Sequence, residues 1–435
     1  MISLGDPRPD ASEPRDRLGL LRDHDFRGLF LSTTVAQFGY QITTLALPLA
    51  AVIALDVSEF EVGVLSSMTM MAFLLIGLPA GAWVDRMRRR RVLIVSDLVR
   101  AAVLLTVPIA WWADVLTIWQ LYAVAFTISV FTVFFDVSYQ SYLPHLVGRD
   151  NLVEGNAKLE VVRSTAQLGG PVLAGQLIGW LTAPLALAFD AVALGASAIF
   201  LLRIRRREAK PEVAHDARIV TEIKEGLAFV FSNRILASIV AATSWWNLWM
   251  GAYMAMVVVF LPRDLAMSPG EIGLLFAVFG VGGLIGAFVT GPVTAWFGEG
   301  RAIWFSTLVT SPGLLLLPAA EPGWRVWVAA LGLGAVGVGS VVYNVNQVSF
   351  RQRLTPDRLL GRMNATVRFL AWGLSAIGAL IGGVLGELVG ARATLWIGAA
   401  GVCLAFLPVF FSPLRNLRDL PRPEAEPEPE PARAA

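Results

Sequence analysis

Few residues in this sequence could do chemistry, and the placement of those few is informative. Asp97 and Arg100 stand one helical turn apart inside the apolar run 92–112, the spacing of a local ion pair. Asp136 interrupts FTVFFDVSYQ, residues 131–140, while Glu160 and Arg163 open the next apolar run and Asp190 lies in the one after. Ionised groups are costly in such surroundings unless they pair or face water, and a carboxyl group there can take up and release a proton. For Asp136 a proton-carrying role and an ion pair with Arg163 are both open; Asp190 could also cap or pair locally. Other chemistries lack their residues. His24, His145 and His215 lie in separate polar segments, the single Cys403 sits in an apolar run, and no GxxxxGK[ST], HExxH or GxSxG motif falls at a helix end or loop. The expectation is a chain that is not an enzyme and carries no metal, no cofactor and no disulfide framework.

The elements that must position these residues follow from composition. Of 435 residues, 56% are hydrophobic and 16% charged, with a mean hydropathy of +0.63. Average globular domains are about a quarter charged, so the composition is that of an integral membrane protein. The formal charge of +2 hides a segregated pattern, because charges cluster between long apolar runs. Twelve runs approach the ~20 residues that a bilayer requires: 29–55, 60–83, 92–112, 117–143, 156–182, 184–204, 235–261, 270–293, 302–320, 324–349, 361–389 and 391–413. They are too long, and alternate too little, for β-barrel strands. The expected organisation is a cytoplasmic segment 1–28, a six-helix unit 29–204, a linker 205–234, a second six-helix unit 235–414 and an acidic, Pro-rich disordered tail 415–435. Within the linker, 219–231 reads as an amphipathic helix on the membrane surface. The first 28 residues carry Arg8, Arg15, Arg17, Arg22 and Arg27 and no apolar core of a signal peptide, so the first run is expected to direct insertion.

Orientation and internal symmetry come from the same pattern. With a cytoplasmic N-terminus, the outer loops hold only Arg263, Arg325 and Arg392 of the 35 Lys and Arg, which places both termini and the linker in the cytoplasm. A shift of 210 superimposes Ser58 on Ser268, Glu61 on Glu271, Gly63 on Gly273, Gly81 on Gly291 and Arg91 on Arg301. A shift of 208 superimposes Asn156 on Asn364, Gly170 on Gly378 and Gly175 on Gly383. The matches predict a duplicated six-helix unit with both copies inserted alike, an architecture whose cargo site lies between the halves.

The loop between the second and third runs, GAWVDRMRRRR (81–91), carries the strongest motif. It resembles the GxxxDRxGRR signature of the major facilitator superfamily, with Arg88 in place of a glycine. Further stretches resemble the branch containing the enterobactin exporter and macrolide efflux pumps: Asp25-Phe26-Arg27, Ser96-Asp97-Leu98-Val99-Arg100, Asp190-Ala191 and Gly361-Arg362-Met363-Asn364-Ala365. The resemblance implies an all-α membrane fold of twelve helices in two parallel, pseudo-symmetric bundles. It also implies a conformational latch at Gly81, Asp85, Arg86 and Arg89, braced by Asp97 and Arg100. The second-half copy, GPVTAWFGEGR, keeps Gly291 and Arg301 but has Ala295 and Trp296 for the Asp-Arg pair.

Gly170, Pro171 and Gly175 resemble the Gly-Pro signature of antiporters, with Ala174 departing from it, which favours export. In this superfamily the first, fourth, seventh and tenth helices line the cavity. The resemblance therefore nominates Gln37, Tyr40, Gln41, Tyr139, Gln140, Trp246, Asn247, Tyr253, Tyr343, Asn344, Asn346 and Gln347. Uncharged amides beside aromatic rings suit a hydrophobic or amphiphilic organic compound such as a drug or macrolide. Relatives often have an aspartate after the first-helix glycine, where this chain has Tyr40. The expectation is a secondary active exporter in the cell membrane, monomeric, exchanging protons for a small organic substrate among membrane lipids and binding no nucleic acid. Proton-coupling candidates are Asp136, Glu160, Arg163 and Asp190. The alternatives are export or flipping of a siderophore or lipid-like molecule and, in another class, a membrane sensor or enzyme.

Overall fold

The computed structural model describes residues 19–84, 86–148, 151–206, 208 and 219–417. Asp85 of the latch lies outside the described residues, as do 1–18 of the N-terminal segment, 207 and 209–218 of the linker and 418–435 of the tail.

The described chain is helical throughout. The first half comprises α1 (His24–Leu49), α2 (Glu59–Val84), α3 (Arg89–Trp112), α4 (Ile118–Val147), α5 (Leu152–Leu181) and α6 (Ala183–Arg203). After the linker helix α7 (Ile219–Ser232) come α8 (Arg234–Arg263), α9 (Pro269–Phe297), α10 (Glu299–Thr310), α11 (Arg325–Leu354), α12 (Asp357–Val389), α13 (Ala391–Cys403) and the short α14 (Leu407–Phe410). Among the described residues ten helical spans are long and apolar enough to cross a membrane. The other two expected runs coincide with α5 and α10. In α5 the charged first half and the amides Gln167 and Gln176 lower the hydropathy; α10 ends before Pro312, whose missing N–H breaks the ladder, and continues as a 3-10 turn, Ser311–Leu316.

Several helix starts are capped by side chains, and two of them repeat the same motif. Ser268 and Glu271 form a capping box at α9, and Ser58 and Glu61 exchange the same two bonds, at 3.3 and 2.8 Å, at α2. These are two of the sequence pairs related by a shift of 210. The preceding turns repeat too, with left-handed φ of 48° at Asp56 and 51° at Ala266. Such a conformation is costly for a residue with a Cβ, so its recurrence at equivalent places argues for shared backbone geometry. Asp23 caps α1 by accepting from Asp25 and Phe26 N–H, both at 2.8 Å.

Packing separates the two ends of the molecule. Within the first half α1 packs on α5 and α6, α3 on α4 and α6, and α2 on α4; within the second, α8 packs on α12 and α13, and α11 on α9 and α10. Across the halves α2 meets α12 and α5 meets α9. The largest apolar cluster lies at the end where α2 and α9 begin, and it draws on both halves, from Leu45 and Val62 to Phe260 and Leu395. The smaller clusters at the opposite end each stay within one half, as around Phe26 and Tyr142 or around Ile303 and Phe350. The linker helix α7 docks on α12, with Val230 buried against Met363 and Val367 and Glu225 paired to Arg362. Trp112, Trp119, Trp180 and Trp324, each at least 73% exposed, ring the joined end like an interfacial aromatic belt.

Candidate functional site

The halves join through glycine. A Cβ on Gly63 would stand 2.4 Å from the Gly383 Cα, and one on Gly175 would stand 2.4 Å from the Pro269 carbonyl and 3.1 Å from the Gly273 Cα. Pro171 belongs to the same seam, its carbonyl lying 2.3 Å from where a Gly273 Cβ would be. Only residues without a Cβ allow backbones this close. Charge closes the rim: Arg263 pairs with Asp56 at 2.8 Å and with Glu59 at 3.2 Å, and Phe60 N–H donates to Glu387 at 3.4 Å. At the other end Gly77, Gly81, Gly291 and Gly361 have no neighbour within 4 Å of a Cβ position. The halves therefore touch backbone to backbone at one end and, at these four glycines, do not at the other.

Between these ends an ion pair crosses the halves. Asp136 of α4 lies 4.0 Å from Arg368 of α12, both side chains about 40% exposed. Arg163, the partner considered from sequence, pairs with Glu160 at 3.7 Å, again with both groups exposed. Arg368 was missed in the sequence although an arginine two turns into the apolar run 361–389 carries the same signal as Asp136.

The interior of the first half is charged and filled. Asp97 accepts from Arg100 at 2.5 Å and from Ser197 Oγ at 2.5 Å; Ser197 in turn bonds Ser32 at 2.7 Å. The Arg100 guanidinium lies 4.7 Å from the centre of the Phe135 ring and donates to Thr132 Oγ1 at 3.4 Å. This network ties α1, α3, α4 and α6 together. Asp190 is buried, accepts from Thr43, and leaves Oδ1 without a partner. A Cβ on Gly39 would lie 2.2 Å from that oxygen, so the α1 glycine makes room for the α6 acid.

The latch loop engages α6. Arg90 donates to the carbonyls of Leu201 at 3.0 Å and Leu202 at 2.7 Å, the acceptor-rich end of a helix, and Arg89 lies 3.7 Å from Glu208. Neither Glu208 nor these carbonyls could be foreseen, since an arginine run specifies no partner. Arg86 is exposed. A second tie binds α1 to the linker, where Asp25 accepts from Arg205 N–H at 2.8 Å and Arg206 N–H at 3.0 Å.

The second half holds a cavity of about 180 Å³ between α8, α10 and α11. Trp246, Asn247, Tyr343, Asn344 and Gln347 line it, all nominated from sequence; Thr243, Thr307, Thr310 and Ser340 also line it and were not. The remaining nominees lie elsewhere. Tyr253 is fully buried and donates to the Leu314 carbonyl at 3.0 Å, and buried Asn346 accepts from Thr294 at 2.9 Å. Gln41 donates to the Ala166 carbonyl at 3.1 Å and packs over Gly170. Tyr139 stacks on Phe135, Gln37 is half-buried, and Tyr40 and Gln140 are exposed. Among the described residues no group of three His, Cys, Asp or Glu side chains could hold a metal.

Comparison with known proteins places these features in a family. The model of the transmembrane secretion effector family matches residues 17–433. The multidrug efflux pump Tap of Mycobacterium tuberculosis is 26% identical over 418 residues, covering 92% of this chain and 96% of that protein. The enterobactin exporter EntS of Salmonella choleraesuis is 24% identical over 412 residues, covering 93% and 96%. A bacterial homologue of the iron transporter ferroportin in its inward-facing state superimposes with a TM-score of 0.73 at 18% identity, over 90% of this chain and 98% of that one. Its outward-facing state gives 0.57, over 88% and 98%.

Proposed function

This chain belongs to the transmembrane secretion effector family, within the major facilitator superfamily, and from that premise we propose that it exports a hydrophobic or amphiphilic organic compound by alternating access, driven by protons. Full-length likeness to a multidrug efflux pump and an enterobactin exporter supports efflux. In this reading the chain crosses the cell membrane twelve times, as two like-oriented six-helix bundles with both termini in the cytoplasm. The sealed end then faces outward and the cleft inward, a state supported by the better superposition on the inward-facing homologue.

The observation that carries the mechanism is the contrast between the two ends: backbone touching backbone at Gly63–Gly383 and Gly175–Gly273, against open space beside Gly77, Gly81, Gly291 and Gly361. Opening the first seam costs the apolar packing shared by both halves, and closing the other end recovers comparable burial there. Two arrangements of similar free energy result, which is what a cargo or a proton can bias. Asp136 is the coupling group. When it is ionised, Arg368 holds it across the halves as an ion pair; when it is protonated, only the weaker attraction of a cation for a neutral carboxyl remains, so a proton taken up there loosens the link between α4 and α12. The latch at Gly81, Asp85, Arg86 and Arg89 holds the inner end in the opposite state, where Gly81 makes the close approach its empty surroundings permit.

The test is flux in proteoliposomes with an imposed pH gradient. The wild-type chain moves a fluorescent amphiphile in response to the gradient; Asp136→Asn still binds it but loses gradient-driven transport. Undiminished driven transport by that variant would remove Asp136 from the coupling role. Enterobactin export by a full-length relative keeps a siderophore cargo as the second reading.

A further inference from the structure

Arg351 stands in the last turn of α11, only 6% exposed, and its Nε and Nη1 have no hydrogen-bond partner. No carboxylate among the described residues pairs with it; its neighbour Arg353 takes Glu299 instead. It follows Tyr343 and Gln347 at four-residue steps, so the three share one face of the helix. Side chains on a helix lean toward its N-terminus, which carries the guanidinium back toward Gln347 of the cavity wall, Arg351 itself standing one turn beyond the lining. Gln347 is 4% exposed; its Nε2 donates to Asn344 at 2.9 Å, and its Oε1 has no partner.

A buried cation without a counter-charge is costly, and so is a buried acceptor without a donor. Arg100 in the first half has Asp97 as a built-in counter-ion; Arg351 has none. We propose that the missing acid belongs to the cargo: the cavity and Arg351 form a subsite for an oxyanion, such as a carboxylate, sulfonate or phosphate, carried on an aromatic body. Arg351 pairs with the acid, Gln347 Oε1 accepts an N–H or O–H from the cargo, and Trp246 offers an aromatic surface. This deepens the transport reading and names the class of substrate.

The test uses the full chain in phosphatidylcholine nanodiscs and two matched probes, anilinonaphthalene sulfonate and its neutral counterpart phenylnaphthylamine. Wild-type protein binds the sulfonate about tenfold tighter than the neutral amine, and Arg351→Gln removes that preference. Arg351→Lys keeps part of it, and the control Arg353→Gln keeps all of it. The sulfonate raises the melting temperature of the wild type and not of Arg351→Gln; without ligand, Arg351→Met melts no lower than wild type, because it removes an uncompensated buried charge. An unchanged sulfonate preference in Arg351→Gln overturns the subsite. Phosphatidylglycerol discs separate a lipid source: if that lipid abolishes sulfonate binding and itself stabilises wild type but not Arg351→Gln, the site belongs to a headgroup and the cargo assignment fails. Proteoliposome flux of the neutral amine keeps the claims apart. Arg351-independent sulfonate binding beside intact flux overturns the subsite alone, and Arg351-dependent binding without any flux upholds the subsite and removes the transport reading.

Discussion

The two halves share a backbone plan and treat polarity in opposite ways. Counted from the starts of their helices, Ser32, Asp97, Arg100 and Asp190 of the first half correspond to Ala242, Thr307, Thr310 and Gly398 of the second. Where Asp97 and Arg100 fill the interior of the first half with an ion pair, Thr307 and Thr310 are too short to do so and line a cavity. The exchange between α1 and α6 is mirrored as well. In the first half Gly39 of α1 yields to Asp190 of α6; in the second, Gly398 of α13 yields to Tyr253 of α8, whose backbone lies 3.4 Å from a Gly398 Cβ position. Asp136 corresponds to Tyr343 in the same way, so the second half has a phenol at the place where the first has an acid. The two halves thus share helix spacing and differ in what fills it: one is braced by a buried ion pair, the other holds a cavity lined by threonines and amides with the unpaired Arg351 one turn beyond.

Breaking that contrast should have its largest effect on the frame. Asp97→Asn leaves Arg100 buried beside a neutral amide, an expected loss of about 3–5 kcal/mol, whereas Thr307→Ala at the corresponding place costs less than about 1 kcal/mol. Thermal unfolding in detergent measures both, and equal losses would show that the halves are braced alike. Next comes the seam. Gly63→Leu drives a side chain into the Gly383 backbone and should separate the sealed end; Gly77→Leu meets open space and should leave that end closed while slowing turnover. In a background with Cys403→Ser, a cysteine introduced at Val57 should react with an impermeant maleimide faster in the first variant and at the wild-type rate in the second. The smallest effect sharpens the receptacle. Tyr343→Phe removes one hydroxyl that meets Thr243 at 2.7 Å, an expected cost of about 0.5–1.5 kcal/mol, with a larger change in ligand affinity than in stability.

Much of this was legible before any coordinates. The apolar runs and the positive loops mark the helices and the turns between them, because hydrophobic length and charge are local properties; the Ser-Glu pairs at 58/61 and 268/271 were visible as a repeat, and the structure shows them capping α2 and α9. Asp97 and Arg100 were readable as a pair because three residues on a helix suffice to join them. Arg163 was a reasonable partner for Asp136 by helix and depth, yet the cation at 4.0 Å is Arg368, some 230 residues away in the chain. Likewise Tyr253 and Asn346 carry the right residue type for a lining and face inward to backbone and threonine instead.

The sequence by itself determined that this is a helical, multi-pass membrane chain of a recognisable family, since each of those features is written in short-range pattern: run length, charge between runs and motif. Only the tertiary structure decided which polar groups meet. Helix rotation and the choice of neighbour are set by close packing over the whole bundle, in which a glycine such as Gly39, Gly63 or Gly175 admits a partner that no local spacing names.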